Sequence, residues 1–139
     1  MTEIERSEGS RLVATDDRFS AYTPFGSEHP YELRIVPREH RASFADTSDA
    51  EVDGLAALLP RLLRAIDAVA PRVSYNWWLH GAGHGLPPSF HWHVEITPRI
   101  VRPDGFELGS GLFVNPVPPE SAATQLRASF EGASAPSAW

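Results

Sequence analysis

The sharpest pattern in the chain is a strict alternation. From Phe90 to Thr97, the residues Phe90, Trp92, Val94 and Ile96 share one side, and His91, His93, Glu95 and Thr97 share the other. That period of two is the signature of a strand with one buried face. The same period recurs in Tyr31 to Pro37, where Tyr31, Leu33 and Ile35 alternate with Glu32 and Arg34, and again in Val73 to His80. Two shorter strands, Arg11 to Thr15 and Phe19 to Tyr22, flank Asp16-Asp17, which predicts a hairpin. Pro24 to Pro30 and Gly81 to Pro88 read as loops, and the stretch after Pro103-Asp104-Gly105 reads as strand-like as far as Asn115.

Between these strands the period becomes helical. Val52, Leu55, Leu59, Leu62, Ile66 and Val69 step by threes and fours, a continuous apolar stripe. Ser48 with Glu51 forms a capping box, and Asp49, Glu51 and Asp53 complement the positive helix start. Pro60 predicts a kink or a break in two, and Pro71 an end. Pro119-Glu120 opens a last short helix to about Phe130. The sum is an α+β domain with an antiparallel sheet over residues 11–130, between a flexible N-terminus (1–10) and a flexible tail (131–139).

Composition narrows the function classes. The 139 residues suit one domain, and 42% apolar with 10% aromatic residues is ample for a core. The formal net charge of -6 argues against nucleic acid or an anionic membrane surface as partner. All 12 basic residues are arginine, which excludes Schiff-base chemistry and a lysine phosphate loop. The absence of cysteine excludes disulfides, thiolate metal sites and a cysteine nucleophile. No apolar run has the length of a membrane span and no signal-peptide core precedes Arg11, so the cytoplasm is the default location.

The chemistry, if any, lies on the polar side of the last alternating strand. Same-side neighbours there stand roughly 6.5–7 Å apart at the backbone, so two imidazoles can converge on one divalent ion. If Val73 to His80 pairs with this strand through the intervening loop, His80 lands near His91 and His93. Three histidines, with Glu95 or a distant carboxylate as fourth ligand, suit zinc or ferrous iron. A lone His-x-His is commonplace on a half-exposed strand. Here, however, four of the six histidines (80, 84, 91 and 93) fall within fourteen residues. His84, in a glycine loop, is the weaker member, and His29 and His40 read as ordinary loop residues. Gly109-Ser110-Gly111 lacks the strand-to-helix setting of a phosphate cradle and reads as a turn.

His91-Trp92-His93-Val94-Glu95-Ile96-Thr97-Pro98-Arg99 resembles the histidine-triad signature, with Glu95 in place of the third histidine. Tyr75 to His80, Gly105 to Gly111 and Asn115 to Glu120 extend the likeness to the C-terminal half of galactose-1-phosphate uridylyltransferases and related nucleotide-sugar phosphorylases. The resemblance covers about residues 11–130. It implies a histidine-triad-like fold, a metal held by His80, His91 and His93, and a hexose contacted by Phe106 and Glu107. The fourth metal ligand and the nucleophilic His-Pro-His motif belong to an N-terminal lobe with no counterpart here. In single-lobed histidine-triad proteins the middle histidine attacks phosphorus, which points to His93, with Glu95 or a backbone carbonyl as acceptor for its other nitrogen.

Three functions follow. One is nucleotidyl or phosphoryl transfer on a nucleotide sugar or sugar phosphate, with Asn76, Trp78 and Arg99 as further substrate contacts. The second is a non-catalytic, metal-stabilised sugar-phosphate-binding domain that needs a partner lobe. The third is new metal-dependent chemistry on the same fold. A metal on His93 and nucleophilic attack by His93 compete for one lone pair. A homodimer is expected, because the family pairs lobes across a continuous sheet and this topology leaves an exposed edge.

Overall fold

A computed structural model of the chain describes residues 9–82 and 89–132. Within them lie β1 (Leu12–Thr15), β2 (Phe19–Tyr22), β3 (Leu33–Pro37), β4 (Tyr75–His80) and β5 (His93–Pro98), with helices α1 (Asp49–Val69), α2 (Gly105–Ser110) and α3 (Pro119–Gly132). The strands form one antiparallel sheet in the order β1-β2-β3-β5-β4. The α+β reading is borne out. His84 and most of both predicted flexible ends fall outside the described residues.

The hairpin forms because Asp16 organises its turn: its Oδ1 accepts from the backbone N–H of Arg18 (2.8 Å) and of Phe19 (2.7 Å). One face of the sheet carries Phe19, Ala21, Leu33, Ile35, Val94 and Ile96, which join Leu58, Leu62, Ala65 and Ile66 of α1 and Leu126 of α3 in one buried cluster. The buried line of α1 therefore runs through Leu58, Leu62 and Ile66; Val52, predicted at its start, is 39% exposed. The helix begins as expected, with the Ser48 hydroxyl accepting from Glu51 N–H while the Glu51 carboxylate accepts from Ser48 N–H at 2.8 Å. Removing that cap in Ser48→Ala should cost about 1 kcal/mol, read as a lower midpoint in chemical denaturation.

Three expectations need correction. Pro60 does not break α1, which is continuous from Asp49 to Val69. Pro60 and Ala56, whose carbonyl loses the N–H partner, are both exposed, so water replaces that bond. The strand containing the histidines starts at His93 rather than Phe90. Ahead of it, Trp92 N–H donates to Arg41 O (3.0 Å), so the crossing segment after β3 takes the bond a neighbouring strand would have taken. Phe90 is accordingly not in the core; its ring lies 6.0 Å from that of His93. Finally, residues 105–110 form α2 rather than a strand. Asp104 caps it with Glu107 as the reciprocal partner, and Gly111 closes it at φ 72°, a left-handed position that suits glycine.

Candidate functional site

The face of the sheet away from the helices is where β4 and β5 bring the predicted residues together. Their register sets His80 opposite His93, Trp78 opposite Glu95 and Asn76 opposite Thr97. The His80 and His93 rings stack, with centroids 4.8 Å apart and planes at 18°. His80, His93 and Glu95 each offer a ligand-type atom, and these atoms lie within 4.8 Å of one another. Nε2 of His80 is buried with no hydrogen-bond partner. Two imidazoles and a carboxylate, one of the imidazoles keeping a buried unpartnered nitrogen, are a donor set that fits a divalent ion of the zinc or iron class.

His93 is oriented by its own strand. Its Nδ1 lies 3.1 Å from the carbonyl of His91. A carbonyl only accepts, so Nδ1 carries the proton and the neutral ring keeps its lone pair on Nε2. Burial pushes the His93 pKa down, and the charges of His80 and Arg34 add to this against the opposing pull of Glu95 and the His91 carbonyl. The ring is therefore neutral at pH 7, the form that can ligate a metal or attack phosphorus.

Glu95 is held from the other side. Arg34 stands opposite it on β3, and both Nε and Nη2 of the guanidinium lie 3.1 Å from Glu95 Oε2. Behind this pair sits Glu32, only 5% exposed, whose carboxylate accepts from Glu28 N–H at 3.0 Å. Burial raises its pKa, helped by the negative charge of Glu95. Sequence reasoning set Glu32 and Arg34 on one side of their strand without giving them a role. Their register against Glu95 was the missing information.

His91 stands apart. Its ring meets that of His40 edge-on at 5.0 Å, and its Nε2 is also buried without a partner. Burial lowers its pKa as well. Among the described residues, the group whose ligand-type atoms all lie within 4.8 Å of one another is His80, His93 and Glu95. The remaining predicted contacts divide. Asn76, Trp78 and Arg99 line a groove on this face. Phe106 is exposed on α2, and the Glu107 carboxylate accepts from Asp104 N–H (3.2 Å) beside a narrow crevice.

No family model matches the chain. It is 30% identical over 136 residues to galactose-1-phosphate uridylyltransferase of Thermotoga maritima, covering 90% of this chain and 43% of that protein. It is 29% identical over 120 residues to ADP-glucose phosphorylase of Arabidopsis thaliana, covering 84% of this chain and 34% of the relative. A solved uridylyltransferase structure superposes with a TM-score of 0.83 at 30% identity, over 94% of this chain and 44% of that one. The chain is a homologue of these nucleotide-sugar enzymes. It carries the histidine-triad fold: a zinc-bound histidine-triad protein of Mycobacterium smegmatis superposes with a TM-score of 0.68 at 20% identity, over 94% and 91% of the two chains. As a uridylyltransferase relative, the chain spans under half the length of the proteins it matches. Among its described residues no helix is long and apolar enough to cross a membrane.

Proposed function

We propose that the chain binds a nucleotide sugar or sugar phosphate at a centre that holds one divalent ion on His80, His93 and Glu95. One observation carries this reading: ligand-type atoms of His80, His93 and Glu95 all lie within 4.8 Å of one another. The kinship with uridylyltransferase and ADP-glucose phosphorylase supports the substrate class. When bound, such an ion supplies Lewis acidity and fixes the surrounding side chains. The residues do the rest. Arg34 holds Glu95 in place, the His91 carbonyl sets the tautomer of His93, and Trp78, Asn76 and Arg99 line the adjoining surface.

A second reading has its own observation. With Nδ1 of His93 donating to a carbonyl, Nε2 is a free nucleophile in an unprotonated ring. It would attack the α-phosphorus of a nucleotide sugar. The bond from phosphorus to the departing sugar-phosphate oxygen breaks, that oxygen leaves with the electron pair, and water later cleaves the phosphorus–nitrogen bond. The ion and the phosphorus compete for the same nitrogen. Intact-mass measurement after incubation with nucleotide sugars separates the two. Ion-loaded protein should bind ligand without gaining mass. A nucleotidyl adduct that His93→Ala abolishes would overturn the binding-only reading in favour of transfer.

The chain is also proposed to act as a homodimer. β4 is an edge strand, and on its helix side Tyr75, Trp77 and Leu79 are 39%, 54% and 42% exposed, beyond the cover of α1. A second copy paired along this edge would bury all three and complete the edge hydrogen bonds. Light scattering behind size exclusion should report twice the chain mass; Trp77→Arg should give a monomer. A wild-type monomer sinks this proposal.

A further inference from the structure

The sheet has two outer edges, and the chain treats them differently. β4 pairs with β5 at six consecutive positions, from Tyr75 opposite Pro98 to His80 opposite His93, without irregularity. Its sequence, Tyr75-Asn76-Trp77-Trp78-Leu79-His80, contains no carboxylate and no arginine. A regular, uncharged edge of this length is a template for another strand. β1, at the opposite edge, has only four residues, and its register against β2 shifts between Leu12 and Ala14. Such a bulge bends the strand and breaks the even spacing of groups that an added strand would need.

The β1 edge is also occupied. Arg11 O accepts from Thr23 N–H at 3.0 Å, so Arg11 turns its carbonyl toward β2 and Leu12, the next residue, turns its own outward. Both polar groups of the Leu12 backbone are taken. Its N–H donates to Gly9 O (3.1 Å), and its carbonyl accepts from Arg127 Nε (2.9 Å) and from Arg127 Nη2. A carbonyl oxygen has two lone pairs, and the planar guanidinium fork uses both. Arg127 Nη2 also lies 3.2 Å from Gly9 O. The side chain reaches this edge because α3 is fixed against β1 and β2. Leu126 is fully buried, Thr23 Oγ1 donates to Pro119 O (2.8 Å), and Arg11 Nη1 pairs with Glu120 Oε1 (2.9 Å).

We propose that Arg127 closes the β1 edge against strand addition and thereby limits the assembly to two copies. The reason is symmetry. Were both edges open, β1 of one copy could add to β4 of the next, a head-to-tail contact that leaves an open edge at each end and keeps growing. With β1 closed, β4 can meet only β4 of a second copy, and that contact consumes the last open edge. This inference rests on the reading that a second copy pairs along β4.

Light scattering of the full chain over a range of protein concentrations tests this. Arg127→Met keeps the aliphatic stem and removes every donor. In the otherwise wild-type chain it should raise the mass beyond twice the chain mass, increasingly so with concentration. In Trp77→Arg, whose β4 edge is charged, the same substitution should turn a monomer into a concentration-dependent dimer, and this arm does not depend on β4 pairing. Adding Thr15→Lys, which puts a charge at an exposed position of β1, should return both proteins to their starting mass. Mere loosening of α3 would not be reversed in this way. Should circular dichroism show Arg127→Met unfolded, Arg127→Gln, shorter and with a single amide donor group, must show the same growth. Folded Arg127 variants that keep the mass of their parents, or growth that Thr15→Lys does not reverse, overturn the inference. A wild-type monomer overturns the β4 pairing alone, and the Trp77→Arg arm still decides the role of Arg127.

Discussion

Protein purified without an affinity tag is expected to carry about one divalent ion per chain, and His80→Ala to carry none. Elemental analysis after gel filtration reads this directly. The expectation follows from His80 Nε2, whose burial without a partner is costly unless a ligand satisfies it. Losing one of three protein ligands should weaken the ion by at least about a hundredfold, since outer partners alone are commonly worth 10–100-fold. Arg34→Gln should have the milder effect, because it frees the Glu95 carboxylate without removing it. His91→Ala should retain the ion, since His91 packs against His40 and lies outside the convergent group. Loss of the ion from His91→Ala and its retention in His80→Ala would refute the assignment.

Acidification should act in the same direction. The folded pKa of His93 lies below its unfolded value, so the unfolded chain takes up more protons as pH falls. The contribution of the neutral ring to stability is complete above the unfolded pKa, near 6.5, and shrinks as pH drops from there toward the folded value. Ion binding needs the same neutral rings, so release of the ion accompanies this loss.

The strands and the long helix were legible because their burial follows single periods. Phe19, Leu33, Ile35, Val94 and Ile96 all face the core as the alternation predicts. The α2 helix was misread because Phe106 and Leu108 mimic a period of two, while the decisive signal was Asp104 with Glu107 three residues on, the same capping pair that Ser48 and Glu51 make at α1. The site was half legible. Antiparallel pairing of β4 with β5 brings His80 opposite His93, as expected if the two strands pair. What alternation could not reveal is that the chain at His91 and Trp92 leaves the ladder to bond the segment at Arg41, which carries the His91 ring toward His40. Nor could it reveal Arg34 and Glu32, whose relation to Glu95 is set by a register between strands sixty residues apart.

Trp92→Ala should be the most destabilising single change in the chain, at about 3–5 kcal/mol. The indole is fully buried and is met edge-on by Phe19 (centroids 6.1 Å) and Phe44 (5.1 Å), so its removal leaves a cavity between the sheet and the crossing segment. Set against a total stability of roughly 5–15 kcal/mol, that loss is a large fraction of what holds the fold together. Trp92→Phe makes the cause testable. Phenylalanine keeps an aromatic ring near both neighbours and removes the indole Nε1, which is buried without a partner. Deleting an unsatisfied donor offsets part of the lost volume, so this variant should cost no more than about 1–2 kcal/mol. Urea denaturation of the three proteins measures both differences. If phenylalanine costs as much as alanine, packing volume is not what the site requires, and the indole N–H must be making a bond that matters. Because Trp92 sits between His91 and His93, the alanine variant should also lose its ion, whereas the phenylalanine variant should keep it.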